Sequence, residues 1–207
     1  MPGPELPAPG VEVRPARAAD VAAAELVFDA AAQAYASLAG SAERGRRVVR
    51  ELWARPGHSA SFEHAAVAEV DGEVAGVLIA FPVRDRYRLH RRLLFASLGH
   101  LSPRRWPLLV AALPQLVLAS PRPPRDAYYV GTIAVARHAR RRGVGFTLGH
   151  HAETSAGARG FPLVAAHTGT RHAVARRALE DYGMQVRRTR RNGYALYVKA
   201  VDSPRGG

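Results

Sequence analysis

The sequence predicts a single α/β domain, in which apolar strand-like runs alternate with helical segments. Two turns, Asp71-Gly72 and Asn192-Gly193, each separate two strand-like runs. They indicate tight hairpins, because both central positions of a type I′ turn need residues that tolerate positive φ. A third observation is the succession of strand, glycine-containing loop and helix between Tyr128 and Ala158. Together these observations predict strands and helices within one fold.

The order of the elements follows from apolar runs and their end signals. The predicted strands are Val11 to Arg14, Ala65 to Val70, Val74 to Phe81, Tyr128 to Val135, Pro162 to His167, Met184 to Arg190 and Tyr194 to Val201. The predicted helices are Val21 to Leu38, Glu43 to Ala54, Phe146 to Ala158 and His172 to Tyr182. Asp20 stands at the N-cap position of the first helix, and Gly183 ends the last one.

Three segments depart from this regular pattern. Residues 1–10 are rich in Pro and Gly and are expected to form a disordered lead, with a short tail at 202–207 after a domain at 11–201. Residues 84–124 combine an Arg-rich start, two apolar patches and several prolines, and predict one or two helices followed by a Pro-rich connection. This segment is interpreted either as an insertion or lid near the acceptor site, or as helices that cover the sheet.

Composition bounds the function. The formal net charge is +13, and Lys199 is the only lysine among 30 basic residues. This arginine bias reflects either genomic base composition or attraction of anionic ligands. The chain has no cysteine, so disulfides and thiolate catalysis are excluded, and its histidines show no metal-ligand spacing, so no metal is expected. The start lacks a secretory pattern, and the most apolar stretch, Leu108 to Ala119, is interrupted by Pro114, so a cytoplasmic protein without a membrane anchor is expected.

The loop Arg140-Arg141-Arg142-Gly143-Val144-Gly145 carries the clearest chemical signal. It lies between a predicted strand and a predicted helix, whose first N–H groups lack partners and whose dipole favours an anion. Glycines allow the backbone to approach a phosphate, and arginines add charge-assisted hydrogen bonds. The alternative is a solvated basic surface. Other phosphate loops fit poorly, because no Gly-Lys-Ser/Thr is present and Leu148 stands where a dinucleotide fingerprint has its third glycine.

Ile133-Ala134-Val135, followed by Arg140-x-x-Gly143-x-Gly145, resembles the coenzyme A signature of the GNAT acetyltransferase family. The opening Val13-Arg14-Pro15-Ala16, the Gly183-Met184 pair and the closing hairpin agree with that family, whereas residues 84–124 do not. The resemblance implies a mixed central sheet of about six to seven strands with helices on both faces. It also implies two splayed parallel strands at the coenzyme A site, where the strand Pro162 to His167 leaves a gap for the thioester.

The resemblance also implies how acetyl-CoA is held. The backbones of Ile133, Ala134 and Val135 would pair with the pantetheine arm as an added strand. The N–H groups of Arg141, Arg142, Gly143, Val144, Gly145 and Phe146 would surround the pyrophosphate, with Arg140 and Arg142 at the phosphates or framing the loop. His172 would donate a hydrogen bond to the arm, or would simply begin a helix. The implied reaction is direct acetyl transfer to a small-molecule or peptide amine in a ternary complex, and a homodimer is an open expectation.

The catalytic residues depart from the family pattern. Leu179 occupies the position of the tyrosine that protonates the thiolate, so Tyr182, three residues on, is the candidate acid, with packing beside Gly183 as the alternative. Tyr129 stands where part of the family has a glutamate base, and either relays a proton or shapes the acceptor pocket. The carboxylate alternatives to Tyr129 are Glu69, Glu73 and Asp126.

Two other functions compete with an N-acetyltransferase. The departures at Leu179 and Tyr129 leave open a non-catalytic coenzyme A sensor or partner module. An Arg-rich nucleic-acid binder is the third hypothesis. It is disfavoured because aromatic residues make up only 7% of the chain and are not interleaved with the basic ones.

Overall fold

The computed structural model describes residues 8–108, 111, 121–191 and 193–201. Within this part of the chain, seven strands form one sheet in the order β1-β2-β3-β4-β5-β7-β6. They are β1 (Val11–Pro15), β2 (Ala65–Val70), β3 (Glu73–Pro82), β4 (Ala127–Val135), β5 (Leu163–Gly169), β6 (Gln185–Thr189) and β7 (Tyr194–Ala200). Neighbouring strands are antiparallel except β4 and β5, which are parallel. The predicted α/β fold with a mixed sheet is therefore confirmed.

Helices cover both faces of the sheet. They are α1 (Val21–Ala30), α2 (Ala32–Ala39), α3 (Ala42–Trp53), α4 (Val83–Leu98), α5 (Val144–Ala158) and α6 (Ala173–Asp181). On one face α5 buries Leu148 and Ala152, one helical turn apart, in a cluster with Leu78 of β3. On the other face Phe28 of α1 and Trp53 of α3 are buried in a second cluster. The sheet is therefore the middle layer between two cores.

The Asp71-Gly72 turn has the predicted geometry. Asp71 has φ 55° and Gly72 has φ 80°, so both central residues are left-handed, as a type I′ turn requires. The last hairpin also forms, between β6 and β7. Gly193 of its turn has φ 85°, whereas Asn192 lies outside the described residues.

The prediction of one helix from Val21 to Leu38 is wrong. The helix breaks at Ala31, which has φ −140° and ψ 33°, and α2 starts at the next residue. The run contains no Gly or Pro that would signal the break. Its cause is tertiary: Gly45 of α3 is so close that a Cβ atom there would lie 3.0 Å from the Tyr35 carbonyl carbon and 3.1 Å from the Phe28 ring. Packing against α3 therefore overrides the helix propensity of the alanines.

Asp20 stands at the N-cap position of α1, but its side chain does not cap the helix. Its carboxylate instead accepts hydrogen bonds from the Arg17 N–H at 2.6 Å and from both terminal nitrogens of Arg14 at 2.9 Å. The Arg14 hydrogen bonds lower the pKa of Asp20, because they stabilise the charged carboxylate. Asp20 therefore joins β1 to the start of α1 through an ion pair, which a pattern search for caps does not detect.

The segment 84–124 begins with the helix α4, as predicted. Leu89 of α4 is buried in the same core cluster as Phe81 and Tyr129, so this helix covers the sheet. A short 3₁₀ turn follows at Pro103–Arg105, whereas most of the apolar stretch from Leu108 to Ala119 lies outside the described residues. Within the described residues, no helix combines the length and the apolarity that a membrane span requires.

Candidate active site

A gap opens between the two parallel strands. β4 and β5 pair only from Ala127 to Val130 on one strand and from Leu163 to Ala166 on the other. Beyond these residues β4 continues beside β3 and β5 continues beside β7. Ile133, Ala134 and Val135 therefore lie on an edge of β4 that has no described strand beside it on the β5 side. Such an edge offers backbone groups to an extended ligand.

The predicted loop follows directly at the end of β4. It runs through a 3₁₀ turn at Arg137–Ala139 into the N-terminus of α5. Among the described residues, the N–H groups from Arg141 to Phe146 donate no hydrogen bond, and the first N–H to enter the helical pattern is that of Thr147, 2.9 Å from the Gly143 oxygen. Six successive free amides at a helix N-terminus form an anion-binding surface, because the helix dipole adds to their partial positive charges.

Two glycines set the position of this surface. Gly143 has φ 76°, a left-handed conformation that glycine adopts without strain. Gly76 of β3 lies under the first turn of α5, where a Cβ atom would lie 2.8 Å from Cγ1 of Val144 and 2.9 Å from Cδ1 of Leu148. The absence of a side chain at Gly76 therefore lets the helix N-terminus sit directly on the sheet. The sequence analysis did not identify Gly76.

Residues just before β1 contact the loop. A Cβ atom on Gly143 would lie 2.4 Å from the Cβ atom of Ala8. The Ala8 N–H donates to Oγ1 of Thr147 at 3.1 Å, and that hydroxyl donates to the Gly143 oxygen at 3.2 Å. Residues 1–7 of the predicted disordered lead lie outside the described residues. The end of this lead thus packs on the candidate phosphate loop.

The arginines of the loop differ in their contacts. Arg142 lies 3.6 Å from the carboxylate of Asp71 in the β2–β3 turn, and both side chains are largely exposed. Arg140 and Arg141 are exposed and make no ion pair within the described part of the chain. Arg141 also has φ 62°, a left-handed conformation that is uncommon for a residue with a side chain. Two cations therefore remain free to meet an anion beside the amides.

On the face of the sheet opposite α5, Tyr129 forms a hydrogen bond that sequence reasoning missed. Its Oη lies 3.2 Å from Nδ1 of His167, and Nε2 of His167 lies 2.6 Å from the Pro121 oxygen. A carbonyl oxygen only accepts, so Nε2 carries the proton and Nδ1 accepts from the tyrosine hydroxyl. His167 is the first residue of β5 beyond its pairing with β4, so the pair lies at the start of the gap.

The environment of this pair is dry and positive. Tyr129 is only 7% exposed, and burial raises the pKa of its hydroxyl. Burial lowers the pKa of His167 to about 4, and the nearby Arg86 guanidinium lowers it further. Arg86 of α4 is itself buried and lies 5.0 Å above the Tyr129 ring. At neutral pH, His167 is therefore uncharged and a hydrogen-bond acceptor, which fixes the direction of the tyrosine proton.

Tyr182, the candidate acid, is held by other contacts. Its hydroxyl donates to Oε2 of Glu153 at 2.7 Å, and Lys199 donates to the same oxygen at 2.7 Å. Its ring packs edge-on against Phe146 at 5.2 Å. Burial raises the pKa of Tyr182, and its hydrogen bond to Glu153 raises it further. These contacts favour a packing role between α5 and α6 over proton donation to a thiolate.

The remaining candidates are spread over the fold. His172 is exposed and precedes α6, where its N–H donates to the Gly169 oxygen at 2.9 Å. Glu69 of β2 accepts hydrogen bonds from Arg14 at 2.6 and 2.9 Å. Glu73 begins β3, and Asp126 precedes β4 at the end away from the gap. None of these three carboxylates meets Tyr129, and the described residues contain no cluster of His, Asp and Glu that could hold a metal ion.

The comparisons with known proteins agree with this geometry. The model of the family described as "Acetyltransferase (GNAT) family" matches residues 30–184. The fold is similar to a crystal structure described as an acetyltransferase, with TM-score 0.68 and 20% identity over 92% of this chain and 100% of the other. An N-acetyltransferase from Staphylococcus aureus Mu50 gives 0.66 and 16% over 91% and 100%. An acetyltransferase from Thermus thermophilus gives 0.53 and 14% over 94% and 99%. No curated protein sequence matches this chain significantly.

Proposed function

Because the chain belongs to the acetyltransferase (GNAT) family, we propose that it transfers an acetyl group from acetyl-CoA to an amine. One observation carries this proposal beyond the family. The six free amides from Arg141 to Phe146 lie directly after the β4 edge at which the parallel strands separate. A ligand with a diphosphate and an extended arm fits both features, and acetyl-CoA has both.

The donor is held by the chain's own backbone in this proposal. The amides at the start of α5 bind the pyrophosphate, and Arg140, Arg141 and Arg142 add charge at its edge. Ile133, Ala134 and Val135 pair with the pantetheine arm along the open edge of β4. His172 contacts the arm from the far side of the gap. Acetyl-CoA supplies an activated acyl group, and the protein contributes orientation and charge.

Tyr129 and His167 handle the proton of the acceptor in this proposal. As the amine nitrogen bonds to the acyl carbon, it becomes acidic enough for a weak base to remove its proton. The Tyr129 oxygen accepts that proton while its own proton moves to Nδ1 of His167. The low pKa of His167 keeps Nδ1 unprotonated and ready at neutral pH. Transfer is direct within a ternary complex, because the chain has no cysteine to form a thioester. A stable acetyl-enzyme seen by mass spectrometry would contradict this order.

A thermal-shift titration tests donor binding first. At a concentration 100 times Kd, acetyl-CoA should add about 2.7 kcal/mol to the free energy of unfolding and raise Tm measurably. The double variant Arg140→Gln/Arg141→Gln should show a smaller rise, whereas Arg47→Gln on α3 should behave like wild type. The same rise in wild type and in the double variant would remove the arginines from the proposal, and no rise in wild type would remove acetyl-CoA.

Thiol release with a panel of amines then tests catalysis. Tyr129→Phe and His167→Phe should each lower kcat by about 10²-fold or more, the usual contribution of a positioned proton acceptor. Donor binding should be unchanged in both, because neither side chain touches the loop. If thiol release is absent in wild type although acetyl-CoA binds, the chain is a non-catalytic sensor. If it is present and unaffected by either variant, the Tyr129–His167 assignment is wrong.

A further inference from the structure

A hollow of about 320 Å³ opens beside the Tyr129–His167 pair. Its walls are Arg122, Pro123 and Pro124 from the segment before β4, Arg187 and Arg188 from β6, and Leu196 from β7. Leu196 is the buried residue that faces His167 in the β5–β7 register. The hollow therefore begins where the side chain of His167 ends, on the same face of the sheet.

Strand register places Arg188 on that face as well. Arg188 is opposite Leu196, and Leu196 is opposite His167, and residues directly opposite in antiparallel strands share a face. The row runs across three strands that are about 5 Å apart, so the Cα atom of Arg188 lies roughly 10 Å from that of His167. A long arginine side chain on β6 can thus reach a group bound next to His167.

A β-bulge brings a second arginine to the same position. The β6–β7 register shifts between Val186 and Arg188, so Arg187 and Arg188 together oppose Leu196. Without the bulge, consecutive residues would point to opposite faces of the sheet. Bulges of this kind commonly occur next to active sites, where they redirect a side chain.

These arginines are available for a ligand. Within the described part of the chain, Arg122, Arg187 and Arg188 make no ion pair, no hydrogen bond and no ring contact. No acidic residue is among the residues that line the hollow. Three guanidinium groups around one concave site favour an anion, because arginine pairs with carboxylate or phosphate through two parallel hydrogen bonds.

We infer that the acceptor is a small amine that carries an anionic group, with the amine at Tyr129 and the anion among Arg122, Arg187 and Arg188. This inference rests on the proposed function, because it names the second substrate of the same site. A separation of roughly 5–10 Å between the nitrogen and the anion fits the strand spacing. The volume of the hollow suits a small molecule, since ligand pockets begin at about 300 Å³.

Matched amines test the inference by calorimetric titration, with the free protein and with the protein saturated with CoA. γ-Aminobutyrate and aminopropylphosphonate are the anionic probes, and butylamine is the neutral one. Each anionic probe that fits should bind at least about tenfold more tightly than butylamine. Binding by only one of them tells a carboxylate acceptor from a phosphate acceptor. Equal binding of all three, or binding of none, would overturn the inference.

Variants link the preference to the hollow. Arg188→Gln and Arg122→Gln should each weaken binding of the preferred anionic probe by about tenfold and leave butylamine unchanged. Arg47→Gln, an exposed arginine on α3, is the matched control and should change neither. If the preference persists in both variants, the anion binds elsewhere and the inference is wrong. Failure of the proposed function is separate, because it shows as loss of the acetyl-CoA thermal shift in wild type.

Discussion

Gly143→Ala is the sharpest single test of the loop, because it adds one carbon atom and no charge. Two costs can be read from the structure. The φ of 76° is left-handed, and an L-residue there costs about 1–2 kcal/mol relative to glycine. The added Cβ atom would also lie 2.4 Å from that of Ala8, so the residues before β1 must move. The backbone cost alone should lower Tm by about 2–8 °C in a chain of this size.

Gly160→Ala is the matched control for this change. Gly160 ends α5 with φ 75°, nearly the value at Gly143, and a Cβ atom there meets nothing within 4 Å. The two variants therefore share the backbone cost, and only Gly143→Ala adds the clash and the displacement of the amides. The double variant Ala8→Gly/Gly143→Ala removes the clash and should regain stability relative to Gly143→Ala.

The assay is the acetyl-CoA-dependent rise in Tm of each variant. We expect Gly160→Ala to keep the rise of wild type. Gly143→Ala should bind at least about tenfold more weakly, a loss of about 1.4 kcal/mol of ligand stabilisation. The reasoning is refuted if both alanine variants retain the full rise, because the amides around Gly143 would then not hold the pyrophosphate.

Two further outcomes follow from buried groups. Tyr182→Phe removes the hydrogen bond to Glu153 and should lower the free energy of unfolding by about 1–3 kcal/mol in urea titrations, while kcat changes less than about twofold; a large loss of kcat would restore its acid role. The pKa of His167 is lowered to about 4 in the folded protein, from an ordinary value of 6.5, so the unfolded chain binds more protons between these values. Stability should therefore fall as pH drops from about 6.5 to 4 and level off below. His167→Gln should flatten this decline in part, since the pKa of His90 is also lowered to about 4, and an unchanged decline would contradict the assignment.

Local signals predicted most of the architecture. The Asp71-Gly72 turn fixes its hairpin through the conformations that two adjacent residues accept, so no distant contact is needed to foresee it. The loop around Gly143 was equally legible, because its spacing relates one strand end to one helix start. The break at Ala31 was not, because its cause is the close approach of Gly45, a contact made by a helix that follows later in the chain.

The candidate proton acceptor shows the same division. Tyr129 was found from its position on β4, whereas His167 was not identified, although it ends a predicted strand parallel to β4. The carboxyl end of a parallel strand beside a separation is where ligands tend to bind, so the signal existed in its position. Arg86 offered no such signal, since its approach to Tyr129 depends on how α4 packs on the sheet.

The arginines of β6 also bear on self-association. β6 is the outermost strand of the sheet, and all of its residues, from Gln185 to Thr189, are exposed. Two copies aligned strand to strand along this border would bring Arg187 and Arg188 of one against those of the other. Charge repulsion and the bulge both oppose such pairing, so the border resists growth of the sheet into fibres. If the protein forms a dimer, its contact surface should lie away from β6.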